Sequence, residues 1–177
     1  MRDETHSKAR CVMADGLVHI YSGDGRGKSQ AAIGRAVQAA GEGKRVVIIQ
    51  FLKGKGLDES EFLRRLEPEI KLFRFEKSDE NFEELCEEKK AEEAGNIRNG
   101  MNFARKVLAT GECDLLILDE VLGLVEKDIV TVEDVKSMLE ARGNTDVILT
   151  GIELRDEICV LADTVSKIET LKFKVWD

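Results

Sequence analysis

Apolar residues in this chain are grouped into short runs that are mostly continuous rather than alternating with polar residues. The runs at 17–21, 45–51, 70–75, 114–119 and 146–151 predict buried strands, and the segment 163–171 predicts an edge strand. Continuous apolar strands are typical of a parallel sheet that helices cover on both faces. The pattern therefore predicts a mainly parallel central sheet of five to six strands.

Between these runs, apolar residues recur with the spacing of one helix face. This spacing predicts helices over 28–40, 58–66, 80–109, 131–142 and 154–162. The sequence T-V-E-D at the start of the fourth helix resembles a capping box, and we expect Gly41 and the R-G-N sequence at 142–144 to be helix stops. Strands and helices that alternate in this way predict an α/β fold in three layers, with the loops after the strands on one edge of the sheet.

Composition narrows the class of protein. A chain of 177 residues is the size of one domain, here residues 16–177 after a flexible N-terminal arm, 1–15. The net charge of −8 argues against a nucleic-acid partner. No apolar stretch reaches the ~20 residues of a membrane span, and no secretory signal is visible. The four cysteines are scattered without a C-x-x-C pair, so we expect reduced thiols in a cytoplasmic protein without a membrane partner.

The loop after the first strand predicts a phosphate site. It reads S-G-D-G-R-G-K-S-Q at 22–30 and resembles the pattern G-x-x-x-x-G-K-[ST], with Ser22 in place of the first glycine. Its glycines let the backbone approach an anion closely, while Lys28 offers a positive charge and Ser29 a hydroxyl for Mg²⁺. An ordinary strand-to-helix turn is the alternative. The candidate ATP-binding residues are Gly23, Asp24, Gly25, Arg26, Gly27, Lys28, Ser29 and Gln30.

Two further strand ends carry candidate functional residues. The run D-L-L-I-L-D-E-V ends in Asp119 and Glu120, which is typical of a Walker B element that holds Mg²⁺ beside a phosphate loop. The alternative is a strand that ends in solvated acids. Gln50 and Lys53, in Q-F-L-K-G after the second strand, are candidate substrate-binding residues, because ligands of open α/β sheets bind outside this edge. A solvent-exposed lysine is the alternative for Lys53.

The segment 76–100 is the most charged part of the chain. Its few apolar residues predict a solvated helix with Glu–Lys pairs one turn apart. The alternative is a flexible lid with Gly95 and Gly100 as hinges.

Taken in order, these motifs resemble one family. Four motifs are similar to those of the P-loop-type ATP:corrinoid adenosyltransferases of cobalamin biosynthesis. They are the glycine-rich loop, Q-F-L-K-G, D-L-L-I-L-D-E-V, and V-I-L-T-G followed by A-D-T-V-S-K-I. That family's loop, T-G-[ND]-G-K-G-K-T-T, also lacks a glycine at the position of Ser22. The resemblance implies a P-loop fold and transfer of the 5′-deoxyadenosyl group from ATP to the Co(I) of a corrinoid, with release of triphosphate. It also implies a homodimer and a reductant protein as a candidate partner.

The resemblance assigns roles to residues of this chain. Lys28 and Glu120 would be catalytic, and Ser29, Asp119 and Glu120 would hold Mg²⁺. Departures from the family keep two alternatives open, a non-catalytic descendant that binds nucleotide or corrinoid and another P-loop ATPase or kinase. The departures are Arg26 for lysine, Gln30 for threonine, Ile152 for arginine, and an end at L-K-F-K-V-W-D, before the tail that relatives usually carry.

Overall fold

The structure is a computed structural model, and it describes residues 15–52, 65–75 and 82–172. Its strands are β1 (Val18–Ser22), β2 (Val46–Gln50), β3 (Ile70–Arg74), β4 (Leu115–Asp119), β5 (Asp146–Thr150) and β6 (Thr164–Lys167). Its α-helices are α1 (Lys28–Gly41), α2 (Glu87–Thr110), α3 (Val121–Glu126), α4 (Val132–Glu140) and α5 (Asp156–Cys159), and a 3-10 turn at Phe82–Glu84 precedes α2. The predicted helix at 58–66 and the N-terminal arm lie almost wholly outside the described residues.

The strands form a single sheet in the order β3-β2-β4-β5-β1-β6. Each neighbouring pair is parallel. The predicted fold class is therefore confirmed, including the edge strand β6. Parallel strands end at the same edge of the sheet, so the residues that follow β1, β2, β4 and β5 meet there.

Helices cover both faces of the sheet because successive strand residues point to opposite sides. Ile48 belongs to the core beneath α1, together with Ala32 and Ala36. Its neighbour Ile49 belongs to the larger core on the opposite face, where α2, α3 and α4 pack. Both faces of the central strands are thus buried, which explains their continuous apolar sequence.

Several helix ends differ from the sequence-based boundaries. Helix α1 includes Gly41 and ends before Gly43, whose φ is +80°. The capping box at Thr131 and Asp134 is confirmed, but α4 ends at Glu140, ahead of the R-G-N sequence. Helix α3 was not predicted, because residues 121–125 are all buried and show no polar face.

Helix α2 argues against the hinged-lid alternative for the charged segment. Gly95 and Gly100 both lie inside this helix. A Cβ at Gly100 would lie 2.7 Å from Cε1 of Phe51 and 2.8 Å from Cγ of Phe75. Gly100 therefore serves close packing of the helix on these rings. Residues 76–81 lie outside the described residues.

Two findings bear on the compositional predictions. Cys86, Cys113 and Cys159 are free thiols, as their scattered positions predicted. Among the described residues, no helix is long and apolar enough to span a membrane.

Candidate functional site at the carboxyl edge of the sheet

The glycine-rich loop connects β1 directly to α1, as the sequence predicted. Gly27 is the N-cap of α1, and its φ of +113° is a conformation that other residues rarely adopt. Gly23, at the start of the loop, has a φ of +116°. The loop thus needs glycine at both ends to turn from the strand into the helix.

The segment that follows β6 packs directly on this loop. The amide of Gly25 donates to the carbonyl oxygen of Ile168 over 3.0 Å, and the amide of Arg26 donates to Oγ1 of Thr170 over 3.2 Å. A Cβ at Gly25 would lie 2.6 Å from the same carbonyl oxygen. This close approach, which the sequence did not predict, is a second reason for glycine in the loop.

The first amides of α1 are the groups best placed for an anion. Helix α1 begins at Lys28, and the N–H groups of the first turn of a helix point out of its N-terminal end. The first amide bonded back along the helix is that of Ala31, to Gly27. The amides of Gly23, Gly25 and Arg26 donate to acceptors within the protein. The helix dipole also favours negative charge at this end.

Lys28 is a buried cation in the loop. Lys28 is only 7% exposed, and its Nζ donates to the carbonyl oxygen of Gly25 over 3.2 Å. An ammonium group held over the loop adds positive charge where the helix amides also point. The arrangement can bind a multiply charged anion such as a phosphate chain.

Asp119, at the end of β4, is the centre of a buried hydrogen-bond network. The residue is 2% exposed, and its Oδ1 accepts from Ser29 Oγ at 2.8 Å and from Thr150 Oγ1 at 2.7 Å. Its Oδ2 accepts from Nε2 of Gln50 at 3.3 Å. The structure therefore brings together the loop and the ends of β2, β4 and β5.

Thr150 is a site residue that the sequence patterns did not predict. Its hydroxyl donates to Asp119 and accepts the backbone amide of Glu120 over 2.9 Å. This second bond holds Glu120 in a left-handed conformation, with φ of +64°, at the start of α3. The available signal was the L-T-G sequence at the end of a predicted strand, which supported only the family resemblance.

The donor atoms at this edge fit a magnesium ion. Ser29 and Asp119 offer a hydroxyl and a carboxylate, the hard oxygen ligands that Mg²⁺ prefers. Within the described residues, no group of three or more histidine, cysteine or acidic side chains could hold a metal. A site with one or two protein ligands matches the way Mg²⁺ is usually bound, with water and phosphate oxygens completing its shell.

The substrate-binding candidates have different outcomes. Gln50 is 1% exposed and joins the Asp119 network, and its Oε1 accepts from Nε of Arg74 over 3.0 Å. Lys53 lies outside the described residues. Arg74 was not a candidate from the sequence, because its contact with Gln50 depends on β2 and β3 being neighbours in the sheet.

A pocket of about 390 Å³ opens beside the loop, between Gly23, Asp24, Ile152, Lys167 and Thr170. The Ile152 side chain, 53% exposed, faces outward, while its carbonyl oxygen accepts the amide of Gly23. Lys167 pairs with Glu169 at 2.5 Å, and this carboxylate raises the pKa of the lysine. Lys167 thus places a cation at the edge of this pocket, where it is paired with Glu169.

The strand order, the glycine-rich loop and the buried carboxylate at the end of β4 define a P-loop-type α/β protein. A KaiC-like protein from Pyrococcus horikoshii OT3 shares this fold, with a TM-score of 0.53, 17% identity, and coverage of 90% of this chain and 75% of the other. The model of the ATP:corrinoid adenosyltransferase BtuR/CobO/CobP family matches residues 14–176. The chain belongs to this family, whose members are transferases.

Curated relatives agree with this assignment. The corrinoid adenosyltransferase CobA of Salmonella typhimurium is 34% identical over 158 residues, which are 89% of this chain and 78% of the relative. The corrinoid adenosyltransferase of Escherichia coli K12 is 32% identical over the same shares. A further relative from Pseudomonas aeruginosa is 27% identical.

Proposed function

We propose that this protein transfers the 5′-deoxyadenosyl group of ATP to the Co(I) of a corrinoid and releases inorganic triphosphate. The observation that carries the proposal is the bond between Ser29 of the loop and the buried Asp119, in a chain that belongs to the adenosyltransferase family. The reacting bonds balance without a protein nucleophile. Co(I) donates its electron pair to C5′, and the C5′–O bond breaks with its electrons going to the triphosphate.

The chain's own residues would act on the leaving group. The amides at the start of α1 and the ammonium of Lys28 would bind phosphate oxygens and offset the charge that develops on triphosphate. Ser29 and Asp119 would hold Mg²⁺, which supplies further positive charge to the phosphates. Binding in this way also orients C5′ towards the incoming cobalt. Glu120 stays a candidate catalytic and metal-binding residue at the same strand end.

The remaining expectations follow from the family resemblance and the composition. A homodimer, a reductant protein that reduces the cobalt of the corrinoid to Co(I), and a cytoplasmic location stay predictions. A kinase or ATPase would need a residue that positions an acceptor or water at the γ-phosphate. A non-catalytic descendant would bind ATP and transfer nothing.

The products of one turnover test the proposal. The protein is incubated with ATP, Mg²⁺ and a chemically reduced corrinoid, and phosphorus NMR and the corrinoid spectrum are recorded. We expect inorganic triphosphate and a Co–C bond in equal amounts, and at least tenfold less of both in a matched sample of the Asp119→Asn variant at limiting Mg²⁺. Stoichiometric ADP would favour a kinase or ATPase, and bound but unchanged ATP would favour the non-catalytic descendant.

A further inference from the structure

We propose that Arg74 is a positioning residue for the magnesium–ATP site, and that it acts on Asp119 through Gln50. This inference rests on the proposed function only in assuming that Ser29 and Asp119 hold a cation with the nucleotide. Arg74 ends the strand β3, which lies at the outer edge of the sheet, two strands from Asp119. The connection between them is a chain of side-chain hydrogen bonds.

The chemistry of the three groups fixes the direction of this chain. A guanidinium group can only donate hydrogen bonds, and an ionised carboxylate can only accept them. Gln50 lies between the two, with Oε1 at 3.0 Å from Nε of Arg74 and Nε2 at 3.3 Å from Oδ2 of Asp119. The opposite orientation of the carboxamide would place its NH₂ group against a cation and its oxygen against an anion. Arg74 and Asp119 therefore favour the same orientation of the carboxamide, and the bond from Arg74 holds Gln50 where it donates to Asp119.

The sheet register makes the chain direct. Gln50 pairs with Asp119 on one side and with Arg74 on the other. Gln50 and Asp119 are both buried, so water cannot readily replace the amide as a donor to Oδ2. Arg74 itself is exposed at the rim. A surface arginine thus reaches a buried carboxylate through one buried amide.

This arrangement divides the two oxygens of Asp119 between two tasks. Oδ2 is bonded to Gln50, while Oδ1 faces Ser29 and Thr150. Because Gln50 holds Oδ2, Oδ1 stays turned towards the hydroxyl of Ser29, and these two oxygens would bind the magnesium ion together. Groups that orient a metal-binding carboxylate in this way typically contribute 10–100-fold to metal affinity. We therefore expect Arg74 to affect magnesium-dependent binding of ATP without touching the nucleotide.

The test is a double-mutant cycle on nucleotide binding. Calorimetry measures ATP affinity across a Mg²⁺ titration and in EDTA for the wild type, Arg74→Met, Gln50→Leu and the double variant. We expect Arg74→Met to weaken Mg²⁺-dependent affinity about tenfold, to leave the affinity in EDTA unchanged, and to have no further effect once Gln50 is leucine. Arg74→Lys, which keeps a donor, should restore part of the loss.

Two matched controls keep the result interpretable. Arg45→Met removes an exposed arginine at the other end of β2, where it pairs with Asp114 at 3.1 Å, and should leave ATP affinity unchanged. A thermal melt of each variant confirms that it folds. If Arg74→Met lowers ATP affinity equally with and without Gln50→Leu, Arg74 contacts the ligand directly and the positioning role is overturned. An unchanged Mg²⁺ dependence of ATP affinity in Arg74→Met would also overturn it.

The binding cycle needs no corrinoid, so it is independent of the transfer reaction. A wild type that binds ATP with Mg²⁺ and shows the coupling, but makes no triphosphate, supports the role of Arg74 and contradicts the proposed function. A wild type without Mg²⁺-dependent ATP binding overturns both.

Discussion

Ser29 and Asp119 are 90 positions apart in the chain, and Oγ of the serine donates to Oδ1 of the aspartate over 2.8 Å. Ser29 follows β1 and Asp119 ends β4, and these two strands are not neighbours, because β5 lies between them. Strand β5 ends in Thr150, whose hydroxyl donates to the same Oδ1. The intervening strand thus supplies the bridge between the phosphate loop and the carboxylate, and the candidate site depends on all three strands.

Removing this bridge should weaken both the fold and the site. In Thr150→Val the side chain keeps its shape but loses the bonds to Asp119 and to the amide of Glu120. We expect a loss of about 1–3 kcal/mol in the free energy of unfolding, because two hydrogen bonds at this site are removed, and weaker ATP binding with Mg²⁺. Urea denaturation and calorimetry measure the two effects. Thr150→Ser, which keeps the hydroxyl, is the control, and wild-type behaviour of the valine variant would contradict the bridging role.

The carboxylate itself should be the most sensitive position for magnesium. Asp119→Asn replaces one acceptor oxygen by an NH₂ group among the donors Ser29, Thr150 and Gln50. We expect Mg²⁺-dependent ATP affinity to fall more than tenfold, about 1.4 kcal/mol or more. Calorimetry at limiting Mg²⁺ measures it, with Glu120→Gln in parallel. If both variants match the wild type, the strand end does not bind the metal.

Local sequence was enough for the parts of the site that lie within one segment. The loop, Asp119, Gln50 and the parallel order of strands and helices each follow from short patterns with a known physical meaning. Thr150, Arg74 and the contact of Ile168 with Gly25 depend on which strands become neighbours. The strand order places β5 between β4 and β1 and puts β6 beside β1, and no local pattern specifies it. Helix α3 was not predicted for another reason. It is buried on all sides, so its sequence does not show the alternation of apolar and polar faces that marks an amphipathic helix.

The contact between the loop and the segment after β6 predicts an intolerance of Gly25 to a side chain. A Cβ there would lie 2.6 Å from the backbone oxygen of Ile168 and 2.8 Å from Cα of Glu169, and backbone atoms cannot move aside independently. We expect Gly25→Ala to destabilise the fold by about 1–3 kcal/mol and to weaken ATP binding. Gly34→Ala is the control, because nothing lies within 4 Å of a Cβ in α1 there. Equal stability of the two variants in urea would contradict the proposed packing.

Lys28 should be needed for ATP binding and dispensable for folding. Its Nζ lies over the loop, bonded to the carbonyl oxygen of Gly25, and its charge is opposite to that of a phosphate chain. We expect Lys28→Ala to abolish tight ATP binding while the thermal melt still shows a cooperative fold. Lys136→Ala, in the exposed pair with Glu133 on α4, should bind ATP like the wild type. Unchanged ATP affinity in Lys28→Ala would remove the phosphate-loop assignment.

The capping box of α4 predicts a pH dependence of stability. The hydroxyl and the amide of Thr131 donate to Asp134 at 2.7 Å and 2.9 Å, and these bonds lower the pKa of the carboxyl below its ordinary 3.8. A lowered folded-state pKa stabilises the protein fully above the unfolded value, and this stabilisation disappears as pH falls through the folded-state pKa. We expect Asp134→Ala to cost about 0.3–1 kcal/mol at pH 7, the range for an exposed carboxylate in the first turn of a helix, and progressively less in urea titrations below about pH 4. Glu133→Ala, beside it, should show little cost, and a cost for Asp134→Ala that is constant with pH would contradict the charged cap.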